Sequence, residues 1–243
     1  NKDGRIFFII PYEDNFTLIG TTDIDHGKSA DQVKISEQEK LYICESASSY
    51  LKQEITPNDI VWSYSGVRPL YDDGASKAQE ATRDYVVSAK EYDYSLMINI
   101  FGGKITTYRR LSETILEHIE NFLGKRGKSW TENSRLPGGE IKVATLSEFE
   151  AKLKNKYSFF TNELIRRLAR SYGEISFDIF GDADSLDALG ENFGGGLYEA
   201  EVQYLINNEW ARSSDDILFR RSKLGLILSE TEIENLNLFL KKN

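Results

Sequence analysis

The pattern of apolar and polar residues predicts a mixed first half of strands and helices. Apolar, β-branched and aromatic runs at 5–11 and 16–23 are separated by the polar residues 13–15, which predicts a β-hairpin. A turn signal at 72–74 lies in a predicted loop at 71–81. The other elements predicted in this half are a helix at 36–53, strands at 60–64, 67–70, 82–89 and 96–100, and a helix at 106–123 that ends at Gly124.

The helix predicted at 36–53 has its own start signal. Ser36 followed three residues later by Glu39 forms a capping box, in which each side chain binds the other residue's backbone N–H. The helical spacing then predicts one apolar stripe that faces a core, formed by Leu41, Cys44, Ala47 and Leu51.

The second half is predicted to be helical almost throughout. The breaker LPGG at 136–139 precedes it, and Ser229 with Glu232 forms a second capping box. We therefore predict an α+β chain with one domain at 1–128 and an all-α domain at 129–243. The helices predicted in the second domain are 147–156, 162–172, 183–189, 197–207, 215–223 and 230–240.

Composition narrows the class of protein. The 243 residues are 40% hydrophobic and 28% charged, which is ordinary for a globular chain, and the net charge of −9 argues against a nucleic-acid partner. Cys44 is the single cysteine, so no disulfide is expected and a reducing compartment fits. No apolar run reaches the roughly 18 residues of a membrane span. No spacing of ligand residues predicts a metal.

The segment FGGKITTYR at 101–109 is the strongest candidate for chemistry. A strand pattern ends in two glycines, and a helical pattern follows. A helix start offers unpaired N–H groups and a partial positive charge, and glycine lets a flat ligand approach the backbone. The turn suits a phosphate or the N1–C2=O edge of a reduced flavin, and a plain tight turn is the alternative. The predicted cofactor-binding residues are Gly102, Gly103, Lys104, Ile105, Thr106 and Thr107.

Three cations are candidates for the reaction itself. Lys104 is poorly placed for stability because the dipole at a helix start repels a positive charge, which favours a functional role over that of a solvated lysine. Arg68 lies between an apolar run and a proline, where its fork would suit a phosphate or a reacting oxygen; a pair with Asp72 or Asp73 is the alternative. Arg83 would bind the same anion, or form a salt bridge with a neighbouring acid such as Asp84.

Several motifs together resemble one enzyme family. GTTD at 20–23, GVRPL at 66–70, TRDY at 82–85 and FGGKITTYR at 101–109 occur in the order and spacing of the aerobic FAD-dependent glycerol-3-phosphate dehydrogenases. EWA at 209–211 and the segment 215–225 resemble the helical C-terminal domain of that family. The resemblance covers nearly the whole chain, and the combination of motifs is more specific than any one of them.

The resemblance implies a fold and a reaction. The first domain would be a mixed or antiparallel substrate-side sheet with the C-terminal end of an FAD-binding domain. The enzyme would oxidise sn-glycerol 3-phosphate to dihydroxyacetone phosphate with FAD and pass the electrons to a quinone. It would be cytoplasmic, with peripheral contact to the inner face of the cell membrane and a homodimer left open. Lys104 and Arg68 would be catalytic, and Arg68 and Arg83 would bind the substrate.

One motif of such flavoproteins is missing. The fingerprint GxGxxG, which holds the FAD pyrophosphate, matches none of the glycine clusters, and the sequence starts directly with a strand pattern at Asn1. We therefore expect a C-terminal fragment that is inactive alone. Two alternatives stay open: a glycerol-3-phosphate oxidase that uses oxygen, and a flavin-free helical module that binds partners.

Other residues receive structural interpretations. We expect His118 on a helix surface, and a proton-acceptor role for His26 is the less favoured reading of its loop. The aromatic and aliphatic residues at 159–168 are expected in a core rather than a quinone groove. Arginines of the helical half would form a solvated face balanced by acids, or else a docking face for anionic lipid or a partner. These arginines and the accompanying lysine are Arg166, Arg167, Arg170, Arg212, Arg220, Arg221 and Lys223.

Overall fold

The chain forms two compact units in a computed structural model that describes residues 1, 3–24, 29–68, 70–71 and 84–242. The first unit is Asn1–Glu132 and the second, which we call the helical unit, is Asn133–Asn243. The boundary predicted at 128/129 lies close to this division, and its meaning as a domain boundary stays a prediction. The first unit is mixed α and β, whereas the described part of the helical unit contains helices and turns but no β-strand.

The first hairpin forms as predicted. Strands β1 (Phe8–Tyr12) and β2 (Phe16–Gly20) pair antiparallel, with Tyr12 opposite Phe16. Glu13, in the turn between them, has a positive φ of 47°. Both strands are rich in the aromatic and β-branched residues that fit a pleated sheet.

A second hairpin leads to the glycine turn. Strands β3 (Val86–Tyr92) and β4 (Ser95–Phe101) pair antiparallel, and Val86 lies opposite Phe101 at the open end. The strand predicted at 82–89 thus begins later, and its residues 82 and 83 lie outside the described residues. The pairing brings the residues before β3 alongside those that follow β4.

The strands predicted at 60–64 and 67–70 are wrong. The described residues of both segments have no strand conformation. Val61 is 72% exposed and Tyr64 is 65% exposed, and no strand of the described chain pairs with them. A run of strand-forming residues needs a hydrogen-bonding partner, and propensity alone does not supply one.

Helix α1 (Glu37–Ser48) starts at the predicted capping box. The Glu39 backbone N–H donates to Ser36 Oγ, and the Ser36 backbone N–H donates to Glu39 Oε2 at 2.9 Å. Cys44 and Ala47 are buried as expected. Leu41, predicted to face the core with them, is 49% exposed. The helix also ends earlier than the predicted residue 53, and Leu51 lies beyond it, so the predicted apolar stripe is reduced to Cys44 and Ala47.

Helix α2 (Tyr108–Leu123) follows a 3₁₀ turn at Ile105–Thr107 and stops at Gly124, whose φ is +84°. Glu113 ties the following segment back onto the helix. It accepts from Ser129 Oγ at 2.6 Å and from Thr131 Oγ1, and pairs with Arg109 Nη1 at 3.0 Å. Hydrogen bonds from the two hydroxyls hold the pKa of Glu113 below its usual value. His118, expected on the surface, is half-buried on this helix.

Five helices build the described part of the helical unit. Most predictions are confirmed, but the helix at 183–189 is wrong, because only a 3₁₀ turn at Asp187–Leu189 forms there. The segment predicted as a helix at 215–223 forms a π-helical turn at Asp216–Arg221. A short helix that precedes Gly181 was missed. The helices are α3 (Leu146–Lys156), α4 (Asn162–Ser171), α5 (Ile175–Phe180), α6 (Glu199–Asn208) and α7 (Glu230–Lys242).

Aromatic rings fill much of the helical unit's core. Tyr157 is fully buried and stacks on Phe160 with ring centroids 5.1 Å apart, and Phe160 meets Phe180 edge-on at 5.1 Å. Leu164, Ile165 and Leu168 are also buried, so the core interpretation of 159–168 is confirmed. Burial, followed by the charges of Asp182 and Asp178, raises the pKa of Tyr157 to about 12.

Two glycines allow the backbone to cross itself at close range. The Glu174 N–H donates to Gly138 O at 3.0 Å, just after the LPGG breaker. A Cβ at Gly138 would lie 2.2 Å from Tyr172 O, and one at Gly173 would lie 2.2 Å from Gly138 O. Both glycines also have positive φ, of 79° and 56°, so no other residue fits either position without moving the backbone.

A buried ion pair joins α4 to α6. Arg167 donates from Nη1 and Nη2 to the two carboxylate oxygens of Glu201 at 2.6 and 2.7 Å, and from Nη2 to Gly196 O at 3.0 Å. Glu201 is 0% exposed, and Tyr172 Oη donates to its Oε1 at 2.7 Å. Burial, followed by the charge of Glu201, raises the pKa of Tyr172. The bidentate geometry satisfies both oxygens of a carboxylate that would otherwise be costly to bury.

Other arginines of the helical unit also have acidic partners. Arg220 pairs with Asp216 at 2.8 Å, and Arg221 pairs with Glu209 at 3.3 Å. These pairs fit the solvated-face interpretation for the residues concerned. In the described residues, we find no helix with the length and hydropathy needed to cross a bilayer.

Candidate functional site

The predicted turn at 102–107 connects β4 to α2 through two glycines of unusual backbone conformation. Gly102 has a φ of 67° and Gly103 a φ of 98°, values that side-chain-bearing residues rarely adopt. A Cβ at Gly103 would lie 3.2 Å from Tyr85 Cβ, so the turn also packs closely against the residue before β3. Glycine is therefore favoured at both positions by the positive φ, and a side chain at Gly103 would also press on Tyr85.

The turn offers a row of free backbone donors. None of the hydrogen bonds among the described residues uses the N–H of Gly103, Lys104, Ile105 or Thr106. The Thr107 N–H is the first after them that donates a hydrogen bond within the turn, to Lys104 O at 3.0 Å. The 3₁₀ turn leads directly into the 16-residue helix α2, so these donors lie at its positive end.

Lys104 adds a full charge beside these donors. Its Nζ lies 3.2 Å from Asp84 Oδ1, and the side chains of Lys104 and Asp84 are 51% and 79% exposed. A pair this exposed contributes about 0–1 kcal/mol. The ammonium can therefore exchange Asp84 for a bound anion at little cost in stability.

Arg68 is held by an aspartate that is distant in sequence. Arg68 Nη1 lies 2.7 Å from Asp23 Oδ2, across 45 positions of the chain. The two side chains are 43% and 32% exposed. Asp72 and Asp73, the partners expected from the sequence, both lie outside the described residues. Asp23, which the sequence presents only as part of the GTTD motif at 20–23, is thus a partner that the sequence did not indicate.

The candidate residues are brought together only in part. Tyr71 contacts Phe101 with ring centroids 5.6 Å apart, which joins the segment after Arg68 to the strand end before Gly102. No hydrogen bond or ion pair in the described residues joins Arg68 to Lys104. Arg83 and His26 lie outside the described residues. Asp84 and Tyr85, which contact the turn, were not singled out as site residues from the sequence.

The turn fits the electron-rich edge of a flavin. Two glycines with positive φ, four N–H groups without a hydrogen bond to another described residue, a helix start and a lysine form the kind of cradle that stabilises negative charge on a flat ring. The described residues therefore fit a flavin edge at 102–107. The residues that would hold a pyrophosphate are not found in this chain, which has no GxGxxG sequence.

Two family matches cover most of the chain. Residues 1–109 match the family described as FAD dependent oxidoreductase. Residues 129–237 match the C-terminal domain of alpha-glycerophosphate oxidase. Residues 1–109 are therefore similar to the FAD-dependent oxidoreductases, and residues 129–237 are similar to the C-terminal domain of alpha-glycerophosphate oxidase.

Individual relatives are similar to nearly the whole chain. The chain is 42% identical to the aerobic glycerol-3-phosphate dehydrogenase of Escherichia coli, over 94% of the chain and 46% of that enzyme. It is 40% identical to the glycerol-3-phosphate dehydrogenase of Pseudomonas aeruginosa, over 99% of the chain and 47% of the relative. It is also 40% identical to the D-erythritol 1-phosphate dehydrogenase of Brucella abortus, over 96% of the chain and 46% of that relative. The resemblance stated from the motifs is confirmed, and the chain spans about half the length of these relatives.

Proposed function

We propose that this chain is part of a flavoenzyme that oxidises sn-glycerol 3-phosphate to dihydroxyacetone phosphate with FAD. The observation that carries the proposal is the cradle at 102–107, where free N–H groups and Lys104 follow a pair of positive-φ glycines. The similarity to glycerol-3-phosphate dehydrogenases over 94–99% of the chain supports the substrate.

The residues of the chain then have distinct roles. When bound, FAD supplies the hydride acceptor. The N–H groups at 103–106 and the Lys104 ammonium stabilise the negative charge that develops at the ring edge facing them. Arg68 and Arg83 bind the phosphate of the substrate, because two guanidinium forks can neutralise a dianion with parallel charged hydrogen bonds. Arg68 also orients the reacting oxygen.

The electron acceptor and the location form a finer part of the proposal. We assign a quinone as acceptor and a cytoplasmic enzyme with peripheral contact to the inner face of the membrane, and we leave a homodimer open. Rapid mixing of the anaerobically reduced full-length enzyme with a quinone analogue should reoxidise the flavin faster than mixing with oxygen. Faster reoxidation by oxygen would identify an oxidase instead.

A second substrate is a four-carbon polyol phosphate. The similarity to a D-erythritol 1-phosphate dehydrogenase is nearly as high as that to the glycerol-3-phosphate dehydrogenases. Both substrates pair a phosphate with a secondary alcohol, so the same cations would serve either. Flavin reduction with each substrate in turn, compared by kcat/KM, distinguishes them.

Phosphate recognition provides the test of the site. In the full-length enzyme, Arg83→Ala should raise KM for glycerol 3-phosphate at least tenfold, since a charged hydrogen bond contributes about 1.5–3 kcal/mol. Arg68→Ala should raise KM and also lower kcat, because it touches the reacting oxygen. Activity with glycerol, which lacks the phosphate, should be low already and should change little.

The control is FAD content, which must match that of the unmodified enzyme in both variants. Equal proportional losses on glycerol and on glycerol 3-phosphate would show that neither arginine recognises the phosphate. The salt-bridge interpretation of both residues would then hold.

A further inference from the structure

Arg68 needs an external support to hold a fixed direction. Described residues 61–68 form neither helix nor strand, and the Arg68 side chain is 43% exposed. A local turn, in which the Leu70 N–H donates to Arg68 O at 2.9 Å, orders the backbone but leaves the long side chain free to rotate. The ion pair with Asp23 is the contact among the described residues that fixes the guanidinium.

The residue before Asp23 is held by the start of α1. The neighbouring Thr22 donates from Oγ1 to Glu39 Oε1 at 2.6 Å, and the other oxygen of Glu39 caps the helix through the Ser36 N–H at 2.9 Å. One carboxylate therefore fastens the exit of β2 to the helix that carries the buried Cys44 and Ala47. We call the contact between Thr22 and Glu39 the Thr22–Glu39 latch.

The latch favours a charged Glu39. Burial works to raise the pKa of Glu39, but the hydrogen bonds from Thr22 and from Ser36 outweigh it and hold the pKa below the usual 4.5. The latch is therefore intact at neutral pH.

The geometry at Arg68 leaves most of its fork available. A guanidinium has five N–H donors in a plane, and Asp23 takes Nη1 alone. The remaining donors of Arg68 make no hydrogen bond to another described residue. A carboxylate that holds one corner of the fork and leaves the others free orients the arginine without neutralising its capacity for a bidentate anion.

We propose that Asp23 is a positioning residue that aims Arg68 at the phosphate of the substrate, and that the Thr22–Glu39 latch fixes Asp23 in place. This inference rests on the proposed role of Arg68 as a phosphate ligand. It makes the capping box of α1 part of the site's support.

A competing role for Asp23 predicts the opposite change in phosphate affinity when its charge is removed. If Asp23 competed with the substrate for Arg68, removal of its charge would free the arginine and tighten phosphate binding. Under the positioning role, removal lets the arginine rotate and weakens binding. The single N–H contact favours positioning, because a competitor would be expected to take the bidentate face of the fork.

The test uses the full-length enzyme with FAD bound, and inorganic phosphate as the probe. Asp23→Asn should raise the Kd for phosphate, measured by calorimetry, about tenfold, and should raise KM for glycerol 3-phosphate by a similar factor with kcat changed much less. Thr22→Val should produce a smaller rise of about threefold. Asp14→Asn, on the turn of the same hairpin, is the matched control and should leave both values unchanged.

Arg68→Ala provides the decisive background. If Asp23 acts through Arg68, then Asp23→Asn should have no further effect on the Kd in an Arg68→Ala protein. An equal effect in both backgrounds, or tighter phosphate binding by Asp23→Asn, would overturn the proposal. The calorimetric arm is independent of turnover, so it still tests the coupling if the unmodified enzyme fails to oxidise glycerol 3-phosphate.

Discussion

At the scale of single residues, Lys104 carries a charge in a place that does not stabilise the helix. The positive end of α2 repels its ammonium, and the exposed ion pair with Asp84 contributes little to stability. A residue kept against its local preference is expected where function needs the charge.

We therefore expect Lys104→Met in the full-length enzyme to slow flavin reduction more than it weakens substrate binding. Negative charge develops on the ring mainly as the hydride moves, so the ammonium acts on the transition state. The loss should be about 3 kcal/mol, or roughly a hundredfold in the anaerobic single-turnover rate.

Lys125→Met, just beyond the other end of α2, is the matched control for this measurement. It removes an exposed charge far from the glycine turn and should leave the rate unchanged. A normal reduction rate in Lys104→Met would remove Lys104 from the site.

The residues that the sequence predicted are those with local signals. The turn at 102–107 could be predicted because strand, glycines and helix follow one another in a few positions. Asp23 could not be predicted as the partner of Arg68, because 45 residues separate them and many carboxylates were available. Asp84 was considered only as a partner of Arg83, which lies outside the described residues, and the register of β3 on β4 brings Asp84 to Lys104.

At the scale of elements, the same distinction between local and long-range causes applies. Both capping boxes form, since Ser229 and Glu232 exchange the same hydrogen bonds as Ser36 and Glu39. The strand predicted at 60–64 does not form, because a strand depends on a partner elsewhere in the chain. The helix α5 was missed because its six residues are mostly apolar and show no helical alternation.

The ion pair between α4 and α6 gives a prediction about stability. Arg167→Met should lower the free energy of unfolding by about 3–5 kcal/mol, because it leaves the Glu201 carboxylate buried without its cation. The measurement is denaturant unfolding of the 243-residue chain, followed by far-ultraviolet circular dichroism.

Arg170→Met tests the same substitution on the exposed face of α4. It should change the free energy of unfolding by less than about 0.5 kcal/mol. Similar losses in the two variants would mean that the methionine disturbs the helix and that the ion pair is not the cause.

At the scale of the whole molecule, burial is distributed unevenly. Cys44 and Ala47 are the buried apolar residues among the described part of the first unit, whereas the helical unit contains a continuous core. The first unit instead leaves large apolar side chains in contact with water, such as Tyr94 at 97% and Ile105 at 90% exposure. Its candidate site thus lies on the less consolidated of the two units.

The absence of a GxGxxG turn leads to a prediction about the cofactor. The 243-residue chain alone should bind FAD weakly or not at all and should be inactive, because it has no GxGxxG turn to anchor the pyrophosphate. Purified chain mixed with FAD and then desalted should show no visible flavin absorbance. Stoichiometric retention of FAD would contradict this expectation, and the full-length protein, treated in the same way, is the positive control.

The placement of the tryptophans has a consequence for spectroscopy. The chain has three of them, and Trp62, Trp130 and Trp210 are 36%, 73% and 81% exposed, so none belongs to the core. The fluorescence emission of Trp130 and Trp210 should already lie near that of an indole in water and should shift little when the helical core melts, and Trp62 belongs to the first unit. The buried rings of Tyr157, Phe160 and Phe180 absorb as a packed, asymmetric group. Near-ultraviolet circular dichroism of those rings should therefore follow the unfolding of the helical core, whereas tryptophan fluorescence should change little.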